Sequence, residues 1–421
     1  MEKIPAKAVS HPVCTADIRI SSQGGEKMDR NLSRYLVYSA VWGFLILAVC
    51  FPSYGGTPPF LVKGPWTTAS AESIVISFEL AQPTRGVVEY RAVGTGRNSS
   101  VPFEAGEGVY HLAVGELRPG STYAYQIEFA SGERTPLGYF STPPRDFTSF
   151  TFLVYGDTRT FYARHRVVAT RMAKETAAFV IHTGDLVTSP VQKEWKAFFS
   201  SGRELLLSKL FFPVLGNHER NHFSYYRLFQ LPGAGGKKGK QWWSFRWGDV
   251  LFVGLDSNTR YLGFTGLREE TRWLKETLSQ EARFKFVFFH HPLFSSDPHY
   301  GGNEGLAALW HPVFVRNAVT AVFCGHVHAY EHIVRDGIHY FTTGGGGAPM
   351  YSLGEPVEGT VYAAAGLLHY LRVSVEEDAV QVEMVPVAEV PLGEEEGEIK
   401  ELDGEPLEIF RIETDVPAGV P

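Results

Sequence analysis

Side chains that could bind metal ions stand directly after five strand-like runs of the sequence. They are Asp157, Asp185, Asn217, His290, His326 and His328. A single Gly-Asp turn after a strand is ordinarily only a turn. Five such ends can nevertheless converge, because sites form at the carboxyl ends of the strands in a doubly wound sheet. The spacing therefore predicts one composite metal site.

The mixture of carboxylate, amide and imidazole groups indicates which metals are expected. Such ligands suit two divalent or trivalent cations of the Fe, Zn or Mn kind better than Ca²⁺ or Mg²⁺. Two cations about 3.5–4 Å apart need a shared ligand, for which a carboxylate is the natural bridge. His326 and His328 are two residues apart, so in an extended segment both rings project to one side, compatible with one ligand for each metal.

In this order, the motifs resemble the five blocks of the calcineurin-like metallophosphoesterases. The blocks are Asp157, Gly184-Asp185, Gly216-Asn217-His218-Glu219, His290 and Gly325-His326-Val327-His328. The Asn-His-Glu and Gly-His-x-His blocks are the specific ones. The resemblance covers roughly residues 57–390 and is greatest to the purple acid phosphatase branch. It implies a metal-dependent phosphoric ester hydrolase with an α/β catalytic domain of the αββα type.

The resemblance also implies a role for each residue. Asp185 would bridge the two metals, and a hydroxide shared by both would attack phosphorus in line with the leaving group. His218 would donate to the phosphoryl or leaving oxygen, and His299 falls where the purple acid phosphatases carry substrate-facing histidines. The remaining ligands divide between the first metal, with Asp157 and His328, and the second, with Asn217, His290 and His326.

Two departures from the family pattern affect the first metal. Arg159 stands where most of the family has a histidine, and Thr188 stands where the purple acid phosphatases have a tyrosine. His165 is the nearest replacement ligand, and a surface or capping histidine is the alternative. A guanidinium cannot donate a lone pair to a cation, so Arg159 is expected to bind the substrate phosphate or to pair with a carboxylate.

Composition limits the partners. The chain has 39 basic and 46 acidic residues, a net charge of −7, and therefore no basic surface for a nucleic-acid scaffold. A small phosphate ester is the expected substrate, and nothing in the sequence fixes the oligomeric state. Thirteen of the 15 histidines follow residue 150, which places the chemistry in the second part of the chain. The three cysteines are too far apart to form a disulfide framework.

The N-terminal extension, residues 1–56, contains an uncharged run at residues 35–51. Arg30 and Arg34 precede this run and no Lys or Arg comes after it until Lys63, which favours export of the chain beyond the run. We expect a signal peptide or membrane anchor, with Met1 or Met28 as the start. The protein would then be periplasmic, at the cell surface or secreted. A buried core helix is the alternative.

Residues 57–145 carry short alternating strands bounded by Pro and Gly, which predict an all-β sandwich. The segment 117–127 resembles the turn and tyrosine corner of fibronectin type III-like domains. Residues 140–146, with two adjacent prolines, form the expected linker. Such a module directly before the catalytic blocks is the arrangement of the purple acid phosphatase branch.

Strands and helices alternate in the predicted catalytic domain, residues 146–390. Helices are expected at 165–178, 192–206, 270–278 and 306–318. The four glycines at 344–347 could cradle a phosphate, or form a tight loop whose backbone passes close to the metals. The tail, residues 391–421, is acidic and expected to be solvated. Asp256 ends a further strand-like run but lies outside the motifs, so it is expected to be dispensable.

The leading prediction is an exported dinuclear phosphoesterase, with an acid phosphatase-like phosphomonoesterase favoured. A phosphodiesterase acting on nucleotide or lipid-headgroup esters uses the same blocks. A third alternative is a catalytically weak, exported binding or surface protein, in which Arg159 and Thr188 have abolished the first metal.

Overall fold

The computed structural model describes residues 58–69, 73–95 and 98–413, all within one compact unit. The run at 35–51 that was predicted to be a signal or anchor lies outside these residues. Within the described part of the chain, no helix is both long and apolar enough to cross a membrane.

The first seven strands form the sheet-rich N-terminal region. They are β1 Leu61–Ala69, β2 Ile74–Leu80, β3 Thr84–Ala92, β4 Ser99–Ala105, β5 Gly108–Val114, β6 Thr122–Phe129 and β7 Gly138–Ser141. β3 lies between β4 and β6 in a four-stranded antiparallel sheet, ordered β4-β3-β6-β7. β1, β2 and β5 pair with one another in a second, larger sheet.

That larger sheet has ten strands and runs on into the catalytic region. The added strands are β8 Phe150–Tyr155, β9 Phe179–His182, β10 Leu210–Pro213, β18 Leu367–Val375, β19 Ala379–Glu389, β20 Lys400–Glu401 and β21 Glu408–Glu413. The order is β20-β19-β18-β8-β9-β10-β1-β2-β5, with β21 also paired to β19. β8, β9 and β10 are parallel, so their carboxyl ends share one edge.

A seven-stranded sheet faces it. Its members are β11 Trp243–Trp247, β12 Val250–Gly254, β13 Lys285–Phe288, β14 Ala321–Cys324, β15 Tyr330–Arg335, β16 Ile338–Thr343 and β17 Thr360–Ala364. The order is β11-β12-β13-β14-β16-β15-β17, in which β12, β13, β14 and β16 are parallel. These four strands are buried and almost continuously apolar, as parallel strands covered on both faces must be.

Phenylalanine rings join the two sheets. Phe152 of β8 lies 5.2 Å from Phe252 of β12 and 5.4 Å from Phe286 of β13, measured between ring centroids. Phe179 of β9 lies 5.1 Å from Phe252 as well. All four rings are fully buried. This packing brings the carboxyl ends of the strands in the two sheets next to each other.

In the described part of the chain, six helices pack around the sheets. They are α1 Tyr162–Ala173, α2 Gln192–Ser201, α3 Arg203–Ser208, α4 Phe223–Leu228, α5 Thr259–Leu278 and α6 Glu304–Arg316. The predicted helix at 192–206 is divided at Gly202 into α2 and α3. α5 begins earlier than its predicted start at 270 and is kinked at Gly263, whose φ is 63°.

The acidic tail is part of the fold. β21 pairs with β19 over six residues, and β20 pairs with the other end of β19. Arg164 of α1 is fully buried and donates to the backbone oxygens of Glu395 and Glu396. The side chains of Glu394, Glu395 and Glu396 are exposed, but that of Glu408 is only 10% exposed and pairs with the buried His332.

Candidate metal centre

The predicted ligands meet at the carboxyl ends of the strands. Asp157 follows β8, Asp185 follows β9, Asn217 follows β10, His290 follows β13, and His326 and His328 follow β14. The two carboxylates, His290 and His328 are buried, while Asn217 and His326 are partly exposed. The face-to-face packing of the sheets therefore assembles one site from both of them.

Within the site the ligands fall into two groups. The Oδ1 of Asn217 lies 2.9 Å from Nε2 of His290 and 3.0 Å from Nδ1 of His326. In the other group, Nε2 of His328 lies 3.3 Å from Oδ1 of Asp157.

Asp185 lies beside the first of these groups and close to the second. Its Oδ1 is 3.3 Å from Nε2 of His290. Ligand atoms of Asp157, Asp185 and His290 all lie within 4.8 Å of one another, so Asp185 is close to a member of each group. This converging set of buried oxygen and nitrogen donors fits transition-metal ions of the Fe, Zn or Mn kind.

Unusual backbone conformations bring the ligands inward. Asp157, Asp185 and His326 have φ of 59°, 58° and 69°, in the left-handed region that side chains other than glycine rarely adopt. Such strain concentrates at functional sites, where the surroundings enforce it. Glycine is required beside them, since a Cβ on Gly216 would lie 2.2 Å from Oδ1 of Asp185, and one on Gly325 would lie 2.4 Å from Oδ2 of Asp157.

Backbone carbonyls orient three imidazoles. The Nδ1 of His290 donates to the Thr183 oxygen over 2.9 Å, and that of His328 donates to the Pro349 oxygen over 2.5 Å. The Nδ1 of His218 donates to the Thr188 oxygen over 2.7 Å. Each ring is thereby fixed in the tautomer that leaves Nε2 free to bind a metal or exchange a proton.

Glu219 stabilises the backbone turns that carry the metal ligands. Its carboxylate accepts hydrogen bonds from the backbone N–H groups of Asp185, Gly216 and Val187 at 2.9, 2.8 and 3.2 Å. Burial, followed by the charge of Asp185, raises the pKa of Glu219 to about 8. The Glu of the Asn-His-Glu motif thus joins the turns after β9 and β10.

Charges around Asp185 determine its ionisation. Burial acts to raise the pKa of this carboxyl, but His290, His218 and Arg159 together hold it well below its usual range. The carboxylate is therefore ionised and ready to bind cations.

Arg159 and His218 both approach Asp185. The Nε of Arg159 is 3.4 Å from Oδ2 of Asp185, and Nε2 of His218 is 3.8 Å from the same oxygen. Arg159 also donates to Oγ1 of Thr160 over 3.1 Å. It therefore lies beside the predicted bridge.

His299 lies at the rim of the site. It is exposed, and its ring packs against Tyr300 at 4.5 Å between centroids. The ring of Tyr300 in turn is 4.7 Å from that of His326. His326, His291, Tyr300 and Glu304 line part of a pocket of about 410 Å³ next to the metal ligands.

His165, considered as a replacement ligand, has both ring nitrogens engaged elsewhere. Nδ1 lies 2.7 Å from the Ser201 hydroxyl and Nε2 lies 3.3 Å from the Tyr155 hydroxyl. Burial lowers the pKa of His165 to about 3. His165 is therefore a buried structural histidine rather than a metal ligand.

Two residues near the site were given no role by the sequence. The ring of Tyr351 stacks on that of His328 at 4.1 Å. His291 forms a second candidate metal-binding group with His290 and His326, and its Nδ1 lies 2.8 Å from the Ser257 hydroxyl. The adjacent His290-His291 pair was visible in the sequence, but only the structure shows that both rings turn towards His326.

The glycine-rich segment forms a tight loop. A Cβ on Gly346 would lie 2.3 Å from the Gly156 oxygen, and one on Gly345 would lie 2.1 Å from Nδ1 of His369. The next residue after the glycines, Ala348, donates its N–H to the Asp157 oxygen over 2.8 Å. The missing side chains let this loop pack against the turn that carries Asp157.

Comparisons with known proteins agree with this geometry. Residues 150–330 match the calcineurin-like phosphoesterase family. The protein therefore carries a calcineurin-like metallophosphoesterase domain, and its relatives include purple acid phosphatases.

Purple acid phosphatase 18 of Arabidopsis thaliana is 26% identical over 268 residues, which are 59% of this chain and 58% of the relative. The phosphoenolpyruvate phosphatase of Allium cepa is 27% identical over 280 residues, covering 60% of this chain and 56% of the relative. The matches thus span little more than half the length of these relatives.

A solved structure shares the fold. The purple acid phosphatase PPD1 from seeds of yellow lupin (Lupinus luteus) superposes with a TM-score of 0.68 at 15% identity. The match covers 83% of this chain and 74% of that one. It extends well beyond the residues matched by the family, so the fold is shared over most of the chain.

Proposed function

We propose that the protein is a metal-dependent phosphoric ester hydrolase with a dinuclear centre. The observation that carries the proposal is the convergence of Asp157, Asp185 and His290, with ligand atoms within 4.8 Å, inside a calcineurin-like phosphoesterase domain. Asp185 would bridge the two ions, because its carboxylate reaches towards both groups of ligands.

The remaining ligands would divide between the ions. Asp157 and His328 would hold the first, which is supported by their 3.3 Å separation. Asn217, His290 and His326 would hold the second, which is supported by distances of 2.9 and 3.0 Å from the Asn217 oxygen. When bound, the two ions would neutralise the phosphate and acidify the attacking water.

Residues of the chain would complete the reaction. His218 presents Nε2 to the site, because its Nδ1–H is held by the Thr188 carbonyl. In its protonated form it would donate the Nε2 proton to the leaving oxygen, and His299 at the rim would contact the ester group. Arg159, beside Asp185, would bind two phosphate oxygens through its planar guanidinium.

Phosphomonoesters are the favoured substrates. The name of the Allium cepa relative, phosphoenolpyruvate phosphatase, describes action on a monoester, which supports this choice. Phosphodiesters of nucleotides or lipid headgroups form the alternative substrate class, because the same ligands serve both reactions.

A non-catalytic role is the second candidate. It is favoured by Arg159 and Thr188, which replace both usual fourth ligands of the first metal. His165 does not fill that place, because both of its nitrogens are hydrogen-bonded elsewhere. An exported binding or surface protein with one metal or none would carry the same fold.

Metal analysis combined with an ester screen tests the proposal. We expect two transition-metal ions per chain and hydrolysis of aryl and alkyl phosphates. Asp185→Asn should lose most metal and nearly all activity, whereas Asp146→Asn, on an exposed linker residue, should change neither. One ion or none, without hydrolysis of monoesters or diesters, would support the binding protein instead.

We also propose that residues 57–145 form a fibronectin type III-like sandwich. The pairing of β1, β2 and β5 opposite β4-β3-β6-β7 supports it. Phe78 of β2 lies 5.2 Å from Phe103 of β4 and 6.4 Å from Phe129 of β6, so rings of both sheets share one core. The Tyr123 hydroxyl accepts from the N–H of Arg118 over 2.9 Å, as a tyrosine corner does.

Export remains part of the proposal. It rests on the uncharged run at 35–51 with Arg30 and Arg34 before it. A reporter fused after Phe60 should be active only outside the cytoplasm. Equal reporter activity in the cytoplasm would exclude export.

A further inference from the structure

A second cluster of polar side chains is buried behind the loop that carries Asn217 and His218. Asp256 follows β12 and Glu270 lies on α5, and both are 0% exposed. Asn221 and Tyr226 add an amide and a phenol that are 4% and 8% exposed. The cluster therefore combines two carboxylates with two neutral oxygen-bearing groups, away from water.

Hydrogen bonds join these groups around Asp256. Asn221 donates its amide to Oδ2 of Asp256, and the N–H of Asp256 donates to Oε1 of Glu270 over 2.7 Å. Asn258 donates its backbone N–H and its side-chain amide to Oδ1 of Asp256 at 3.0 and 2.8 Å. Asp256 is thus the centre of a buried hydrogen-bond network rather than an isolated surface acid.

Three oxygens of the cluster are buried without a hydrogen-bond partner. They belong to the side chains of Asn221 (Oδ1), Tyr226 (Oη) and Glu270 (Oε2). Asn221 and Glu270 are hydrogen-bonded directly to Asp256, and the Tyr226 hydroxyl interacts with the Asn221 side chain without reaching hydrogen-bond geometry. Buried polar atoms are nearly always satisfied, so three such oxygens on side chains linked to one another and to Asp256 point to a missing ligand.

The carboxylates also lack a counter-charge. Among the described residues, no Lys, Arg or His side chain forms an ion pair with Asp256 or Glu270. The ammonium of Lys238 instead donates to the backbone oxygen of Asn221 over 2.6 Å and lies over the Tyr226 ring. Burial raises the pKa of Asp256 to about 6 and that of Glu270 well above its usual range. A buried acid must be paired, bound to a metal or protonated.

We propose that this cluster is a cation site separate from the dinuclear centre, and that it takes a hard divalent ion such as Ca²⁺. All of its donors are oxygens, which suit Ca²⁺, whereas Zn²⁺ sites ordinarily include nitrogen or sulfur. The two carboxylates of Asp256 and Glu270 match the charge of one divalent ion. The unsatisfied oxygens of Asn221 and Tyr226 supply neutral ligands.

The position of the site gives the ion a function. Asn258, bonded to Asp256, donates its amide to the Gly216 and Leu215 oxygens at 3.2 and 3.4 Å. Asn221, also bonded to Asp256, has a left-handed φ of 45°. The loop with Asn217 and His218 is thereby held at both ends, and an ion at Asp256 would stabilise it.

Calcium binding to the full chain tests the proposal. We expect one calcium ion per chain in addition to the transition metals, and a rise in melting temperature with roughly millimolar CaCl₂. Glu270→Gln should weaken calcium binding by about tenfold or more, because the number of charged ligands sets the affinity. Glu276→Gln, the same change on an exposed position of α5, should keep the calcium response.

Tyr226→Phe provides a milder variant that removes only the hydroxyl. It should fold and bind calcium more weakly than the wild type. The proposal is overturned if wild-type protein gains no thermal stability from CaCl₂. It is also overturned if Glu270→Gln is at least as stable as the wild type and keeps the calcium response, because Glu270 would then be a neutral acid. All readouts are metal content and melting temperature, so they do not depend on phosphoesterase activity.

Discussion

At the scale of single residues, the His218 ring is oriented in the same way as the rings of His290 and His328, but it lies farther from Asp185 than the His290 ring does. Its Nδ1–H is held by a carbonyl, as in His290 and His328. Its Nε2 is nevertheless 3.8 Å from Asp185, whereas that of His290 is 3.3 Å away. Burial lowers the pKa of His218 from its ordinary value, while the charge of Asp185 acts to raise it. The position of Nε2 therefore leaves His218 outside the proposed ligand set but beside the predicted bridge.

We therefore expect His218→Ala to separate catalysis from metal binding. Turnover should fall by roughly 10²–10⁴, the effect of losing a general acid or base. The metal content should stay at the wild-type level, because the ring contributes no ligand in the proposed centre. Steady-state kinetics beside elemental analysis measures both, and loss of metal together with activity would make His218 a ligand.

Arg159 gives a second prediction. Arg159→Ala should weaken inhibition by inorganic phosphate and raise KM while the metals stay bound, because the planar guanidinium would hold phosphate oxygens. Arg166→Ala, an identical change on the exposed face of α1, is the matched control. Unchanged phosphate inhibition in a fully metallated Arg159→Ala protein would leave Arg159 with only its contacts to Asp185 and Thr160.

Residue types and order were sufficient to predict which ligands meet, but the supporting contacts were not predictable. Tyr351 stacks on His328 although it comes 23 positions later in the sequence, after loop and strand residues. The expectation that Asp256 is dispensable took no account of its burial, which depends on where α5 and the Asn217 loop pack. Such contacts arise from tertiary packing, which local spacing does not encode.

At the scale of elements, the strands of the catalytic region were the most predictable. Parallel strands covered on both faces are short apolar runs, and the runs before Asp157, Asp185 and His326 are strands β8, β9 and β14. The helices were harder to delimit. Gly263 and Gly266 made the first part of α5 hard to predict from the sequence, because glycine disfavours helix interiors.

Lys209, between α3 and β10, makes stability depend on pH. It is 5% exposed and donates to the Ala173 oxygen over 3.2 Å. Burial, opposed by the charge of Glu175, lowers the pKa of Lys209 from 10.5 to about 8. Between these values the unfolded chain binds more protons than the folded one, so this group makes stability rise with pH.

We expect Lys209→Met to remove that dependence. Below pH 8 the buried ammonium costs up to about 3 kcal/mol, and Met avoids this cost while preserving volume. The stabilisation by Lys209→Met should therefore be largest near pH 7 and should shrink towards pH 10.5. Urea unfolding across this range measures it, with Lys193→Met on the exposed face of α2 as the control. An effect of Lys209→Met that is independent of pH would contradict the assignment.

At the scale of the whole molecule, the N-terminal strands are continuous with the catalytic sheet. β1 pairs in parallel with β10 at Thr67 and Leu210. Gln192 at the start of α2 donates to Glu79 over 3.0 Å, and Glu79 also pairs with the buried Lys63. This junction was not predictable from local patterns, because a single register pair joins segments 143 residues apart.

The junction between β1 and β10 affects the division into domains predicted at residue 145. Two prolines in the linker favoured separate modules, whereas the strand pairing makes the N-terminal region an edge of the larger sheet. Removal of residues 58–142 would expose β10 as an unpaired edge strand, which favours aggregation. It would also uncover Phe199 of α2, which packs on Trp66 at 4.5 Å between ring centroids.

We therefore expect the catalytic region to depend on the N-terminal strands for its stability. Trp66 is 0% exposed, so Trp66→Ala should lower the free energy of unfolding by about 3–5 kcal/mol, in the range found for buried aromatic residues. Phe264→Ala, at a ring that is 82% exposed, should change the free energy of unfolding by less than about 0.5 kcal/mol. A chain that begins at Arg145 should melt at a lower temperature than the full chain or aggregate, measured by calorimetry and light scattering. If that shorter chain remains monomeric and keeps both its metals and the full melting temperature, the N-terminal strands are an independent module and the junction contributes no stability.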